Sequence, residues 1–255
     1  MQRIFLWSIP VLVLGALATL YFWPGSEKPL PQQLSAPAPK PAIRYPMEAH
    51  EPPADSLPPL ADSDGVIADA LAELFGQRLP EFVYLKSIVH RVVATVDNLP
   101  RDHLSMRLMP VTPVTGMPIT EKSGESLVLG PKNFARYRPY VRLADAVPAE
   151  ALVAVYARFY PLFQQQYENL GYPDKYFNDR AVEVIDHLLA TPEAREPVHL
   201  VQPRVLYKFA DPRLESLSAG QKTFLRMGSA NAAKLKSKLR DIRQGLVSMA
   251  AAKGE

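Results

Sequence analysis

The apolar and polar positions follow three successive patterns along the chain. Residues 4–23 form an apolar run without a charged side chain, residues 24–60 are rich in proline, and residues 61–255 carry apolar side chains at helical spacing. An uncharged run of about 20 residues has the length of a membrane-spanning helix, whereas amphipathic spacing is typical of helices around a core. The pattern predicts a cytoplasmic stub and membrane anchor in residues 1–23, a linker in residues 24–60, and a globular domain in residues 61–255.

The flanks of the apolar run predict how it is oriented. Trp7 lies near one end, and Tyr21 and Trp23 lie at the other, where interfacial aromatic residues are expected. Arg3 places positive charge before the run, which puts the N-terminus in the cytoplasm and the rest of the chain outside. The alternative is a cleaved signal peptide with its small residues at 16–18, but the apolar run continues beyond them. Both interpretations export the domain.

The linker is defined by its prolines. They occupy positions 24, 29, 31, 37, 39, 41, 46, 52, 53, 58 and 59. Proline removes backbone donors and disfavours helix in the residue before it, so this stretch is expected to be disordered or polyproline-like. Fully extended, it reaches on the order of 110 Å. We interpret it as a spacer that adds nothing to the core, and the alternative is a proline-motif ligand for a partner.

The domain is predicted to be mainly α-helical. An apolar arc on the helix up to Ala190 indicates that this helix is central in the core. Ser218 and Gln221 have the spacing of a capping box. The predicted helices start near Val66 after a cap at Asp64, and then run over Pro80–Asp97, Pro131–Ala146, Pro148–Leu170 with a kink at Pro161, Asp174–Ala190, from Ser218 onward, and Ala230–Ala250.

A small β element accompanies these helices. Ile119 to Leu129 reads as a hairpin, because a short polar turn containing Gly124 separates two apolar runs. Val198–Val201 and Val205–Phe209 have the composition of a second pair of short strands. The predicted fold class is therefore a multi-helix, mainly α domain with a small β-hairpin element, preceded by one transmembrane helix and the linker.

Composition excludes several kinds of chemistry. The chain contains no cysteine, so disulfides, thiol nucleophiles and cysteine-ligated metal centres are excluded. A net charge of +3 is too small to indicate a nucleic-acid partner. The HExxH, GxSxG, Walker and GxGxxG motifs are missing, which disfavours the enzyme classes that use them. No cofactor is predicted.

Several strings of residues in the domain resemble those of a known family. The strings are Val93–Arg101, Arg158–Phe163, Leu170–Pro173, Tyr176–Arg180, Val184–Leu189, Val205–Tyr207, Phe209–Pro212 and Leu217–Lys222. Together, over Leu60 to Arg243, they are similar to the proteobacterial domain-of-unknown-function family numbered 3014. The resemblance implies a Gram-negative envelope protein with an N-terminal anchor, and it transfers neither an activity nor a catalytic residue.

One helix face carries candidate chemistry. Asp179, Glu183 and His187 recur every four residues and so lie on one stripe of the predicted helix, with Asp186 beside it. Carboxylates and imidazole can bind a divalent metal, which makes the three stripe residues metal candidates. Glu183, Asp186 and His187 are the catalytic candidates, as acids or bases. The alternative is a structural network in which Arg180 pairs with Glu183 and His187 bonds to a neighbour.

Two further groups of polar residues are candidate binding surfaces. Arginine and tyrosine interleave in the first group, which suits an anionic or carbohydrate ligand, although a solvated helix face explains the pattern equally. The second group is a basic face on the last helix, which suits anionic lipid or polymer if it does not simply cover a core-packed stripe. The first group comprises Asn133, Arg136, Tyr137, Arg138 and Tyr140, and the second Lys234, Lys236, Lys238, Arg240 and Arg243.

Three hypotheses for function follow from this organisation. The first is a non-enzymatic envelope component that is anchored in the bacterial inner membrane, lies in the periplasm and binds an envelope protein or a cell-wall ligand. The second is a periplasmic hydrolase that acts on a cell-wall substrate through its helix carboxylates. The third is an accessory subunit of a secretion or division assembly. Membrane tethering and the missing catalytic motifs favour the first.

Overall fold

The computed structural model describes residues 42–47 and 57–251. These residues belong to one unit, which spans residues 41–255. Within them, no helix combines the length and the apolar composition that crossing a membrane requires. The predicted anchor and residues 24–41 and 48–56 of the predicted linker lie outside the described residues.

The described residues are mainly helical, as the apolar spacing predicted. Three short 3-10 turns accompany the α-helices, at Leu60–Asp62, Leu79–Glu81 and Met106–Leu108. Pro161 lies inside the longest apolar helix, where the sequence placed it. The α-helices are α1 (Asp64–Phe75), α2 (Ile88–Asn98), α3 (Pro131–Ala135), α4 (Arg138–Ala146), α5 (Ala149–Asn169), α6 (Phe177–Leu189), α7 (Pro212–Glu215), α8 (Ala219–Met227) and α9 (Ser229–Ala251).

The main core lies where α2, α5, α6 and α9 pack against one another. Val93 of α2, Phe159 of α5 and Val182 of α6 are among its fully buried side chains. The rings of Phe163 and Phe177 stack with their centroids 6.0 Å apart, which ties α5 to α6. The wide apolar arc of α6 is buried, which confirms that this helix is central.

The strands form one antiparallel sheet of four in the order β1-β2-β3-β4. They are β1 (Thr120–Ser123), β2 (Ser126–Leu129), β3 (Val198–Val201) and β4 (Lys208–Phe209). Both predicted strand pairs are confirmed, and Gly124 adopts a positive φ of 62° in the β1–β2 turn. The pairing of β2 with β3 joins the two hairpins, and Leu129 lies opposite Val198 there. One face of the sheet packs on Leu225 of α8.

Four predicted helices differ from those in the structure. The helix predicted over Pro131–Ala146 is divided into α3 and α4, and the helix predicted over Asp174–Ala190 begins at Phe177. The first helix begins at Asp64 itself, and the Asp64 carboxylate instead accepts hydrogen bonds from the backbone N–H groups of Ser87 and Ile88, at the start of α2. The helix predicted over Pro80–Asp97 is two elements, a 3-10 turn and α2, separated by an extended stretch at Val83. The capping box of Ser218 and Gln221 is confirmed.

Part of the predicted linker is docked on the domain. Tyr45 and Met47 contact the main core, and Met47 is buried. Leu57 and Leu60 pack against the same core. The expectation that the linker adds nothing to the core is therefore wrong for these residues, because apolar side chains between its prolines find partners that are distant in sequence.

Candidate functional site

A polar cleft of about 480 Å³ opens between the starts of α1 and α2 and the C-terminal part of α5. Its volume lies in the range of small-molecule sites. Seven of its ten lining residues carry polar side chains, although apolar atoms make up about half of the exposed wall, so the cleft suits a ligand with both hydrophilic and apolar surface. The lining residues are Leu60, Ala61, Ser63, Asp64, Ser87, Val89, His90, Gln165, Gln166 and Asn169.

The backbone at the mouth of the cleft is held in an uncommon conformation. Ser87 has φ 54° and ψ 40°, and it is the only non-glycine residue with positive φ in the part of the chain that the structure describes. The Asp64 carboxylate holds it there, with 2.6 Å to the Ser87 nitrogen and 3.1 Å to that of Ile88. Left-handed residues other than glycine cost free energy, and they cluster at functional sites. The strained backbone at Ser87 therefore supports this cleft as the candidate functional site.

The far wall of the cleft presents uncharged polar groups. Gln165, Gln166 and Asn169 lie within the last two turns of α5, and His90 faces them from α2. None of these four side chains hydrogen-bonds to another described residue. Each amide offers both a carbonyl acceptor and two N–H donors. The wall can therefore exchange hydrogen bonds with hydroxyl and amide groups of a ligand.

The predicted metal stripe on α6 is divided among different partners. Asp179 accepts hydrogen bonds from the backbone N–H groups of Arg44 (3.0 Å) and Tyr45 (2.8 Å) of the docked linker segment. Glu183 pairs with Arg180 at 3.0 Å and is exposed. His187 lies 2.9 Å from the Ser218 hydroxyl, through Nε2.

The predicted catalytic group does not converge on a common point either. Asp186 binds Arg243 of α9, and this hydrogen bond raises the pKa of the Arg243 guanidinium above its usual value. Glu183 and His187 contact other side chains, as described above. Across residues 42–47 and 57–251, no group of three histidine, aspartate or glutamate side chains could hold a metal ion. Asp179, Glu183 and His187 do recur every four residues along α6, but each side chain bonds to a different partner.

The arginine and tyrosine group on α3 and α4 holds a loop in place. Asn133 is fully buried, accepts from the Ile119 backbone and donates to the Arg226 carbonyl. Arg136 donates to the carbonyl groups of Thr115, Gly116 and Met117.

The remaining members of that group lie elsewhere. Tyr140 packs edge-on against Phe82 with ring centroids 5.4 Å apart, and Tyr137 is half-buried beside the cluster between α6 and α8. Arg138 is exposed. The structure thus brings Asn133 and Arg136 together around the 115–119 loop and separates the others from them.

The basic face of α9 is partly used within the fold. Lys236 donates to the Thr191 carbonyl, and Lys238 donates to the Val147 carbonyl at 2.8 Å. Together with the pair between Arg243 and Asp186, these contacts bind α9 to the ends of α6 and α4. This face therefore contributes to the packing of the last helix.

A family model described as "Protein of unknown function (DUF3014)" matches residues 88–243, which is more than half of the chain. The chain belongs to the DUF3014 family. The stretch matched by the DUF3014 model begins at the start of α2 and ends in α9, so it includes the α2 and α5 walls of the cleft. No curated protein and no solved structure matches the chain.

The cleft of this DUF3014 protein was not predicted from the sequence. Gln164, Gln165 and Gln166 form the longest polar run in a mostly apolar helix, and this run is the signal that the sequence offers for the cleft. Gln164 is used internally, since its side chain accepts from the Phe177 N–H and donates to the Lys175 carbonyl. Gln165 and Gln166 point to the cleft, a difference that only the packing of α6 on α5 creates.

Proposed function

We propose that this protein is a non-enzymatic binding component of the bacterial envelope that recognises a cell-wall glycan in the polar cleft. In this proposal residues 4–23 anchor the chain in the inner membrane, the N-terminus is cytoplasmic and the domain lies in the periplasm. The cleft carries the proposal, because its unbonded amides match the hydroxyl and acetamido groups of a glycan. The membrane anchor rests on the uncharged apolar run.

The chemistry of the cleft favours binding over hydrolysis. Hydrolysis of a glycosidic bond generally needs two carboxyl groups that flank the bond. Asp64 is the only carboxylate in the lining, and both of its oxygens accept backbone hydrogen bonds at the start of α2. The amide groups can orient a sugar without cleaving it, so a scaffolding or sensing role fits this site.

Calorimetric titration of the full chain in nanodiscs with soluble peptidoglycan glycan fragments tests the proposal. We expect binding that the double substitution Gln166→Ala and Asn169→Ala weakens about tenfold or more, because two hydrogen bonds of about 1 kcal/mol each are lost. Gln244→Ala is the matched control, since Gln244 is an exposed amide on α9. Absence of binding, or equal affinity in the cleft and control variants, would contradict the proposal.

A further inference from the structure

The loop that joins β3 to β4 exposes apolar side chains at its tip. Val205 is 77% exposed and Leu206 is 67% exposed, the two highest values among the large apolar side chains of residues 42–47 and 57–251. Val201, at the end of β3, is 46% exposed. These neighbouring apolar side chains form a small exposed patch, which is a candidate contact surface.

The tip is mounted on an ordered base. Phe209 of β4 is buried, and the guanidinium of Arg226 lies 5.7 Å from the centre of its ring. Within the loop, the Gln202 side chain donates to the Val205 carbonyl at 3.1 Å. The Phe209 backbone N–H donates to the Glu215 carboxylate at 2.9 Å. These contacts hold the base of the loop on the sheet, and Val205 and Leu206 lie exposed at its tip.

The charged side chains within residues 198–209 are both basic, whereas Asp211 and Glu215, which follow β4, are each paired with a cation. Residues 198–209 contain Arg204 and Lys208, both exposed, and no aspartate or glutamate. The next acidic residue along the chain, Asp211, is paired with Arg213 at 2.8 Å. Two exposed apolar side chains flanked by two cations match a surface that is anionic outside and apolar beneath.

We propose that the β3–β4 tip inserts Val205 and Leu206 into the interfacial region of an anionic phospholipid bilayer, with Arg204 and Lys208 at the lipid phosphates. A convex tip with two apolar side chains offers far less than the roughly 800 Å² per partner that a stable protein interface buries. The predicted membrane helix would be the main attachment to the bilayer, so the tip is an auxiliary contact and needs to bury only a small area. The residues between Trp23 and Ala42 extend to at most on the order of 60 Å, so the domain stays near the bilayer.

Site-specific labelling tests this proposal. Because the chain has no native cysteine, an introduced cysteine is the single site that a thiol-reactive fluorophore can label. Leu206→Cys and Glu125→Cys each accept one environment-sensitive fluorophore, and Glu125 lies in the β1–β2 turn as the matched control. The full-length variants are placed in nanodiscs of phosphatidylcholine with or without phosphatidylglycerol, and brominated acyl chains quench any label that enters the lipid. Circular dichroism melts establish that both variants are folded.

We expect brominated lipid to quench the label at 206 in the phosphatidylglycerol discs and to leave the label at 125 unchanged. Adding Arg204→Ala and Lys208→Ala to Leu206→Cys should abolish the quenching, as should raised ionic strength. Equal quenching at both positions, or none at 206, overturns the proposal. An emission shift at 206 that follows protein concentration and not lipid composition overturns it in favour of self-association.

Discussion

Asp97 is a buried carboxylate whose partners come from three parts of the chain. It is 5% exposed and accepts from Arg101 (2.8 Å), Arg180 (3.2 Å) and the Tyr172 hydroxyl (3.3 Å). Arg180 also donates to the Asp97 carbonyl at 2.9 Å. The group joins α2 to the start of α6, so its charge is compensated and its lone pairs are occupied.

Substitution of Asp97 tests how much this group of hydrogen bonds stabilises the fold. Asp97→Ala removes the carboxylate that Arg101, Tyr172 and Arg180 share, while Arg180 keeps its contacts with Glu183 and with the backbone carbonyl of residue 97. We expect a loss of about 1–3 kcal/mol in the free energy of unfolding. Glu81→Ala is the matched control, because it removes a carboxylate from the solvent-exposed pair with Arg78 and should leave the stability almost unchanged. Urea denaturation of residues 42–255 measures both, and similar losses in the two variants would refute the argument.

Two buried tyrosines predict how stability depends on alkaline pH. Burial raises the pKa of Tyr160 and that of Tyr167 to about 12. In the unfolded chain both ionise near pH 10, so above that pH the unfolded state has lost protons that the native state keeps. Stability should therefore fall as pH rises from about 10 to 12, by roughly 2–3 kcal/mol for each tyrosine.

The variant Tyr160→Phe isolates this effect. It should lessen the loss of unfolding free energy between about pH 10 and 12, while Tyr84→Phe, at an exposed ring, should leave the slope unchanged. Urea denaturation across this pH range measures the slope. An identical slope in wild type and Tyr160→Phe would be incompatible with the raised pKa of Tyr160.

At the level of elements, the docked segment of residues 42–47 completes the start of α6. Asn178 is fully buried and donates to the Tyr45 carbonyl at 3.0 Å, and Asp179 receives the two backbone N–H groups of Arg44 and Tyr45. Without the segment, Asn178 loses a partner and Met47 no longer covers the core. The segment acts as a short additional element of the domain.

Truncation measures what this segment contributes. A chain that begins at Leu57 should be less stable than one that begins at Ala42 by roughly 2–4 kcal/mol, from the lost hydrogen bonds of Asn178 and Asp179 and the lost burial of Met47. Asp179→Ala should destabilise the longer chain and have little effect on the shorter one, because the two changes remove the same contact. Additive losses would show that Asp179 acts independently of the segment.

At the scale of the whole molecule, the predicted topology is open to direct measurement. A reporter enzyme that is active only outside the cytoplasm, fused after Glu255, should be active, because Arg3 keeps the N-terminus inside. The mature protein should remain in the membrane fraction after a high-salt wash. Recovery of a soluble form that starts at Thr19 would instead establish the cleaved signal peptide.

Local patterns in the sequence predicted most of the longer helices and both hairpins of the domain. The apolar spacing of α5, α6 and α9, the Gly124 turn and the capping box of Ser218 and Gln221 each involve residues a few positions apart. Periodicity and capping depend on helix and strand geometry alone, so they are visible in one sequence. The central position of α6 followed from the width of its apolar arc.

The hydrogen-bond partners of the polar side chains depend on the three-dimensional packing. Asp64 caps α2 and Asp179 binds the linker segment, although local spacing predicted other roles for them. The contact of His187 with Ser218 matches the structural alternative, but the spacing did not identify Ser218 as the partner. The pairing of β2 with β3 and the cleft beside α5 likewise join residues far apart along the chain. A polar side chain bonds to whichever element packs against it, and helical spacing carries no information about that element.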